Sequence, residues 1–272
     1  MTVQETTSAE AAAFAERWRE WHAAKEARLA DPHGFLAITG LHWLDEEPQH
    51  FPDAPGTWTT GPDGPVVILD EDEELVVDGE TVRGEHRFGV LPERGGVTAL
   101  WRDAAIEVAK RGGHDIVRPR HPDNPLRTSF RGTPAYEPDA RWAVTGHFIP
   151  FDEPRPTTVG AAVDGLEHVY EAPGRVEFEL DGRALSLTAF PGHESGSLVV
   201  LFTDETSGVT TYAANRALHI TPDADGAVVL DFNRAGNLPC AYTDLATCPL
   251  PPPENRLPVA VEAGEKIPHE RG

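Results

Sequence analysis

The stretch Val176-Glu177-Phe178-Glu179-Leu180-Asp181-Gly182-Arg183-Ala184-Leu185-Ser186-Leu187-Thr188-Ala189-Phe190 decides the fold. On both sides of Asp181-Gly182 apolar and polar residues follow a period of two, which places alternate side chains on one face of an extended strand. Asp-Gly suits a two-residue turn whose central residues both need positive φ, so the stretch predicts a β-hairpin. The same signal recurs outward. Asp78-Gly79 separates Glu74–Val77 from Thr81–Arg83, Gly112-Gly113 separates Ala105–Lys110 from His114–Arg118, and Asp164-Gly165 separates Thr157–Val163 from Leu166–Glu171. Further extended runs are expected at Phe35–Thr39, Gly56–Thr60, Pro65–Leu69, His86–Leu91, Val97–Trp101 and Arg141–Ile149. Leu198–Thr203, Val209–Ala213, Ala217–Ile220 and Ala227–Phe232 complete the series. Many short strands joined by hairpin turns predict an all-β fold, an antiparallel barrel or sandwich, rather than a nucleotide-binding α/β sheet.

One helix precedes them. Thr7-Ser8-Ala9-Glu10 fits a capping box with Thr7 as N-cap, and Phe14, Trp18 and Trp21 recur at helical spacing, extended by Leu29. Asp31-Pro32-His33-Gly34 stops it. The expected organisation is an N-terminal amphipathic helix within 1–34 packed on a single β-rich domain, 35–272. The Pro-rich connection from His121 to Asp139 leaves room for two lobes, 35–120 and 140–272.

Composition excludes several partners. The formal net charge is -22, and no Lys/Arg cluster offers the surface that nucleic acid or an anionic membrane needs. The first ten residues lack a basic and an apolar region, so a secretory signal is not expected, nor does any apolar run reach the length of a membrane span. Cys240 and Cys248 are too few for a disulfide scaffold and are expected as thiols in a cytoplasmic setting. The chain contains no Walker loop, dinucleotide-binding glycine pattern, nucleophile elbow or H-E-x-x-H pair. Gly192-His193-Glu194-Ser195-Gly196 reads as a hairpin loop. The histidines are scattered and no His, Cys and carboxylate triad shows ligand spacing, so neither a metal nor another cofactor is expected. Were a metal present, His42, His147 and His193 would be its first candidates.

The densest polar chemistry lies in Asp231-Phe232-Asn233-Arg234-Ala235-Gly236-Asn237-Leu238-Pro239-Cys240 and in the Pro-stiffened run Leu250–Leu257. Asn amides, carboxylates and a thiol held by rigid backbone can preorganise a site; equally, they can satisfy the backbone of an irregular strap. The candidate members are Asn233, Arg234, Asn237 and Asn255, with Tyr212 and Arg216 arriving from a preceding strand pair. Either arginine could hold an anionic group. Cys240 and Glu254 are the candidate catalytic residues. Two functions fit. One is a small-molecule-binding protein or enzyme with a polar pocket at this segment. The other is a non-catalytic interaction protein using the Pro-rich strap, with a homodimer kept open.

These residues resemble the C-terminal signature of a bacterial family known only as a domain of unknown function. Its members read D-F-N-R-A-Y-N-P-P-C-A-F-T and then A-T-C-P-L-P-P-P-E-N-R-L. The resemblance extends to Trp18-Arg19, Gly40-Leu41-His42-Trp43-Leu44, Arg141–Phe151, Thr211-Tyr212 and Arg216. Gly236 stands where the family usually has an aromatic residue, and Leu238 where it has the first Pro. The resemblance implies no activity.

Overall fold

The computed structural model describes residues 8–269, and Thr7, the expected N-cap, lies outside them. The described chain is mostly antiparallel β with one long helix, α1 (Ser8–Leu29), which carries Glu10 in its first turn. It divides into two compact units. The larger holds the described residues up to Glu26, Gly132–Asp244 and those from Cys248 onward; the smaller holds Ala27–Arg131 and Leu245–Thr247.

The smaller unit contains β1 (His42–Trp43), β2 (Gln49–His50), β3 (Thr57–Thr59), β4 (Val66–Ile68), β5 (Leu75–Val77), β6 (Glu80–Val82), β7 (Glu85–Arg87), β8 (Gly96–Trp101), β9 (Ala104–Arg111) and β10 (His114–Arg120). They make a six-stranded sheet in the order β1-β10-β9-β8-β5-β6 and a four-stranded sheet in the order β2-β3-β4-β7. Trp58, Val67, Leu75, Ala99, Ile106, Val108 and Val117 are the centre of its core. Ile106 and Val108 alternate with Glu107 along β9, so the glutamate stands on the opposite face. A short helix, α2 (Pro125–Thr128), capped by Asn124, lies within the predicted Pro-rich connection.

The larger unit is built on β11 (Ala143–Gly160), β12 (Glu167–Leu180), β13 (Arg183–Pro191), β14 (Leu198–Phe202), β15 (Arg216–Ile220) and β16 (Ala227–Asp231), ordered β15-β14-β13-β12-β11-β16. The Asp181-Gly182 hairpin forms as its sequence predicts. Leu180 pairs with Arg183, and φ is 51° at Asp181 and 73° at Gly182, where glycine carries no Cβ penalty. Phe178, Leu187, Val200, Phe202, Leu218, Leu230 and Phe232 fill the core together with Leu257, Val259 and Val261 of the C-terminal segment.

Two strand expectations are corrected, and two expected strands join into one. Phe35–Thr39 is a 3₁₀ turn over Phe35–Ala37, with Leu36 and Ala37 buried, followed by a single bridge at Ile38. Arg141–Ile149 and Thr157–Val163 belong to one strand, β11, whose pairing with β12 shifts between Pro150 and Arg155. Pro150 and Pro154 sit at that bulge, and Pro156 is already paired with Glu171. Val209–Ala213 is a turn: the backbone N–H groups of Val209, Thr210 and Thr211 all donate to Thr206 O, at 3.0–3.1 Å.

Candidate functional site

The C-terminal signature begins where β16 ends. Asp231 caps a 3₁₀ turn over Phe232–Arg234 by accepting the Asn233 N–H at 3.2 Å. The Asn233 side chain is buried and fully engaged: Oδ1 accepts from Asp139 N–H at 2.9 Å, while Nδ2 donates to Asp139 O at 2.9 Å and to Asp231 Oδ1 at 2.8 Å. Its carbonyl accepts the Trp18 indole N–H at 2.6 Å, which ties α1 to the signature. Arg234 points outward, with Nε 3.4 Å from Asp231 Oδ2 and its guanidinium 5.6 Å from the Trp21 ring centroid.

Asn237 meets the centre of the arrangement. Its N–H donates to Glu265 Oε2 at 2.6 Å and its Nδ2 to Lys266 O at 2.8 Å. Glu265 is fully buried, and both of its carboxylate oxygens lie 2.8 Å from Lys25 Nζ. His22 Nε2 lies 3.2 Å from Oε1, and the His22 ring stacks on Trp18 with centroids 4.8 Å apart. Burial alone would push the Glu265 carboxyl up. The contacts with His22 and Lys25 and the Asn237 N–H outweigh it and hold the carboxyl below its ordinary value, hence ionised. The Tyr242 hydroxyl bonds to Thr133 Oγ1 at 2.8 Å. Burial, with the nearby Glu265 charge, pushes that phenol up and keeps it neutral.

Backbone geometry brings these groups together. Gly264 has φ 76°, and a Cβ there would lie 2.4 Å from Ala235 O, so only glycine lets the C-terminal segment approach closely enough for Glu265 N–H to bond Ala235 O at 2.9 Å. A Cβ on Gly236 would lie 2.8 Å from Lys25 Cε. With a glycine in place of the expected aromatic, the end of the Lys25 side chain lies close over the backbone at this position.

The remaining candidates stand elsewhere in the unit. Asn255 is fully buried against the sheet. The β13–β14 pairing is Phe190 to Val199 and Pro191 to Leu198, a register that, continued past Ala189 and Val200, would align Thr188 with Leu201. The Asn255 amide bridges that place instead: Oδ1 accepts from Thr188 N–H at 2.7 Å, and Nδ2 donates to Thr188 O at 2.9 Å and Leu201 O at 2.8 Å. Glu254 is exposed and accepts from Thr188 Oγ1 at 3.1 Å. Arg216 is buried in an ion pair, Nη2 being 2.6 Å from Asp204 Oδ2, and donates also to the carbonyls of Val261 and Ala263. Burial draws its guanidinium below the ordinary value and Asp204 opposes the shift. Tyr212 donates to Cys240 O at 2.9 Å. Cys240 and Cys248 are buried and form no disulfide, and Cys248 Sγ accepts the Cys240 N–H at 3.3 Å.

The structure thus brings Asn233 and Asn237 to the helix face that bears Trp18, His22 and Lys25, while Asn255 and Glu254 meet Thr188 on β13. Sequence reading missed His22, Lys25 and Glu265. Positions 18, 22 and 25 share one helical face at the i, i+4, i+7 spacing, so a basic pair continuing the tryptophan stripe was the available signal. Glu265 carries no periodic signal. No helix among the described residues is long and apolar enough to cross a membrane.

The family described as "Protein of unknown function (DUF1684)" matches residues 128–266. A solution NMR structure of an uncharacterized protein from Haloarcula marismortui is 35% identical; the match covers 52% of this chain and 79% of that one, with a TM-score of 0.44. Among curated proteins nothing matches.

Proposed function

The chain belongs to the DUF1684 family of proteins of unknown function, and we propose that it binds a small polar molecule, as a binding protein or an enzyme, beside its C-terminal signature. The observation that carries the reading is Glu265. A fully buried carboxylate kept ionised by a lysine and a histidine, with a neutral phenol nearby, is costly to assemble and is the kind of ensemble that moves or holds protons in polar sites. Lys25 and His22 are only partly buried, with side chains 22% and 12% exposed, so a solute can approach the cluster from the α1 side. In this reading Asn233 and Asn237 fix the frame, Glu265 is the buried charge, and His22 and Lys25 meet the solute. Arg234 is exposed at the same helix and would meet an anionic group on a larger one. The setting proposed is cytoplasmic, in keeping with two buried, unbridged thiols. Leu257, at the end of the Pro-rich run, and Val259 and Val261 beyond it are spent in the core, which leaves the assembly reading without support from them.

The test is ligand-observed NMR of the intact chain against a library of small polar fragments, with hits mapped on the ring resonances of His22. Fragments that shift His22 and compete with one another would support the site. A full screen in which no fragment moves His22 would count against it.

A further inference from the structure

A second polar concavity lies in the smaller unit, on the face of the six-stranded sheet turned away from that unit's apolar core. β9 and β10 pair so that Glu107 stands opposite Arg118; Arg111 lies four residues along β9 on the same face, and Arg120 two residues along β10. All three arginines converge on the one carboxylate. Arg118 donates from Nε at 3.0 Å and from Nη2 at 2.8 Å, Arg111 from Nη2 at 2.9 Å, and Arg120 from Nη2. Phe35 packs under two of them, its ring centroid 5.9 Å from the Arg118 guanidinium and 4.9 Å from that of Arg120. A cavity of about 270 Å³ opens beside this group, lined by His33, Thr98, Glu107, Arg111 and Arg120.

The charges do not balance in contact. Three guanidiniums share one carboxylate, in a chain whose net charge is -22. The other nearby acid, Glu93, is engaged by the backbone N–H groups of Gly112 and Gly113 at 2.8 Å each and reaches Arg111 through its field. Grouping like charges in a partly buried place is unfavourable unless an anion completes it. Arg120 Nη1 donates to His33 O at 2.9 Å, and Arg111 Nη1 to Gly95 O at 2.9 Å and Lys110 O at 2.7 Å, but Arg120 Nε is buried and has no hydrogen-bond partner. An unsatisfied buried donor needs an explanation, and a bound oxyanion supplies one. The size agrees. The cavity falls just under the roughly 300–1,000 Å³ of pockets for drug-sized ligands, which leaves room for a phosphate and a small group attached to it. Planar guanidinium forks match the oxygens of such a group.

We propose that this pocket binds the phosphate group of a small metabolite, or inorganic phosphate itself, between Arg111 and Arg120, with Thr98 at its rim. Glu107 and Arg118 are positioning residues: they hold the two arginines in place from beneath. The site is separate from the Glu265 cluster, so neither proposal depends on the other.

The test is isothermal titration of the intact chain with inorganic phosphate, at constant ionic strength with chloride as the control anion. Saturable heat with phosphate and none with chloride is expected. Arg111→Gln should weaken binding about tenfold or more, as the loss of a charge-assisted contact does. Thr98→Glu offers a second arm that removes none of the arginines. Thr98 is exposed on β8, directly across from Glu107, so the new carboxylate competes with the anion for the arginines and should abolish phosphate binding. No saturable heat up to about 10 mM phosphate, weaker than any specific site of this kind, would overturn the proposal. So would phosphate binding unchanged in Thr98→Glu, because the anion would then be bound elsewhere.

Discussion

Asn255 offers the sharpest test of what the signature does for the fold. Its side chain is fully buried and makes three hydrogen bonds, two to Thr188 and one to Leu201, at the place where β13 and β14 would otherwise align. Asn255→Leu keeps the volume and removes all three. Thr188 N–H, Thr188 O and Leu201 O are then left buried without these partners, at about 1–3 kcal/mol each before relaxation. Some relaxation toward direct β13–β14 pairing is open to the strands, so the net loss should be about 3–5 kcal/mol, in the range that marks a broken buried network. Asn255→Asp should behave differently with pH. Its carboxylate can still accept from Thr188 N–H but faces two carbonyl oxygens, so the folded state raises its pKa above the unfolded value. The destabilisation is therefore full above the folded pKa and fades as pH falls toward the unfolded one. Denaturant titrations of wild type, Asn255→Leu and Asn255→Asp at pH 7 and pH 4, followed by near-ultraviolet circular dichroism, read both effects. An unchanged midpoint for Asn255→Leu would refute the bracing role. So would an Asn255→Asp penalty that grows on acidification.

Other consequences follow from the same geometry. Burial would raise the Glu107 carboxyl, but Arg118 and Arg120 outweigh it and hold it at about 2 against an ordinary 4.5. That difference is about 3 kcal/mol of stability, present above pH 4.5 and lost as pH falls toward 2. Glu107→Gln should thus be less stable at pH 7 and should lose less than wild type between pH 7 and pH 3; equal losses in denaturant titrations would contradict the assignment. Trp18→Phe removes the bond to Asn233 O and should cost about 1–2 kcal/mol, read as a lower melting temperature. Gly236→Ala sets a Cβ 2.8 Å from Lys25 Cε and should push Lys25 away from Glu265. The Lys25 side-chain resonances should then lose their pH-dependent response to Glu265, and an unaltered response would contradict the close approach.

Much of the fold was legible because its signals are local. The Asp78-Gly79 and Asp181-Gly182 turns announce themselves in two residues, and their φ values are the positive ones such turns require. The long strand β11 was harder to read, because Pro150, Pro154 and Pro156 look like breaks when strand partners are unknown; here they gather at and beside a register shift. Phe35–Ala37 looks extended by composition but closes into a 3₁₀ turn because Leu36 and Ala37 are buried there. In the candidate site, the asparagines stood out as residues but their partners did not. Asn233 finds Asp139 and Asn255 finds Thr188 across gaps of 94 and 67 positions. Lys25 and Glu265 are 240 positions apart, and nothing local to either marks the pair.

If Glu265 serves a ligand as well as the fold, Glu265→Gln separates the two roles. The glutamine keeps the shape and an acceptor for Asn237 N–H while removing the charge that faces Lys25 and His22. Fragment binding detected at His22 in wild type should vanish in Glu265→Gln, while near-ultraviolet circular dichroism shows the packed structure retained. Fragment binding that survives the substitution, or a variant that loses its packing and has no separable binding defect, would contradict the account.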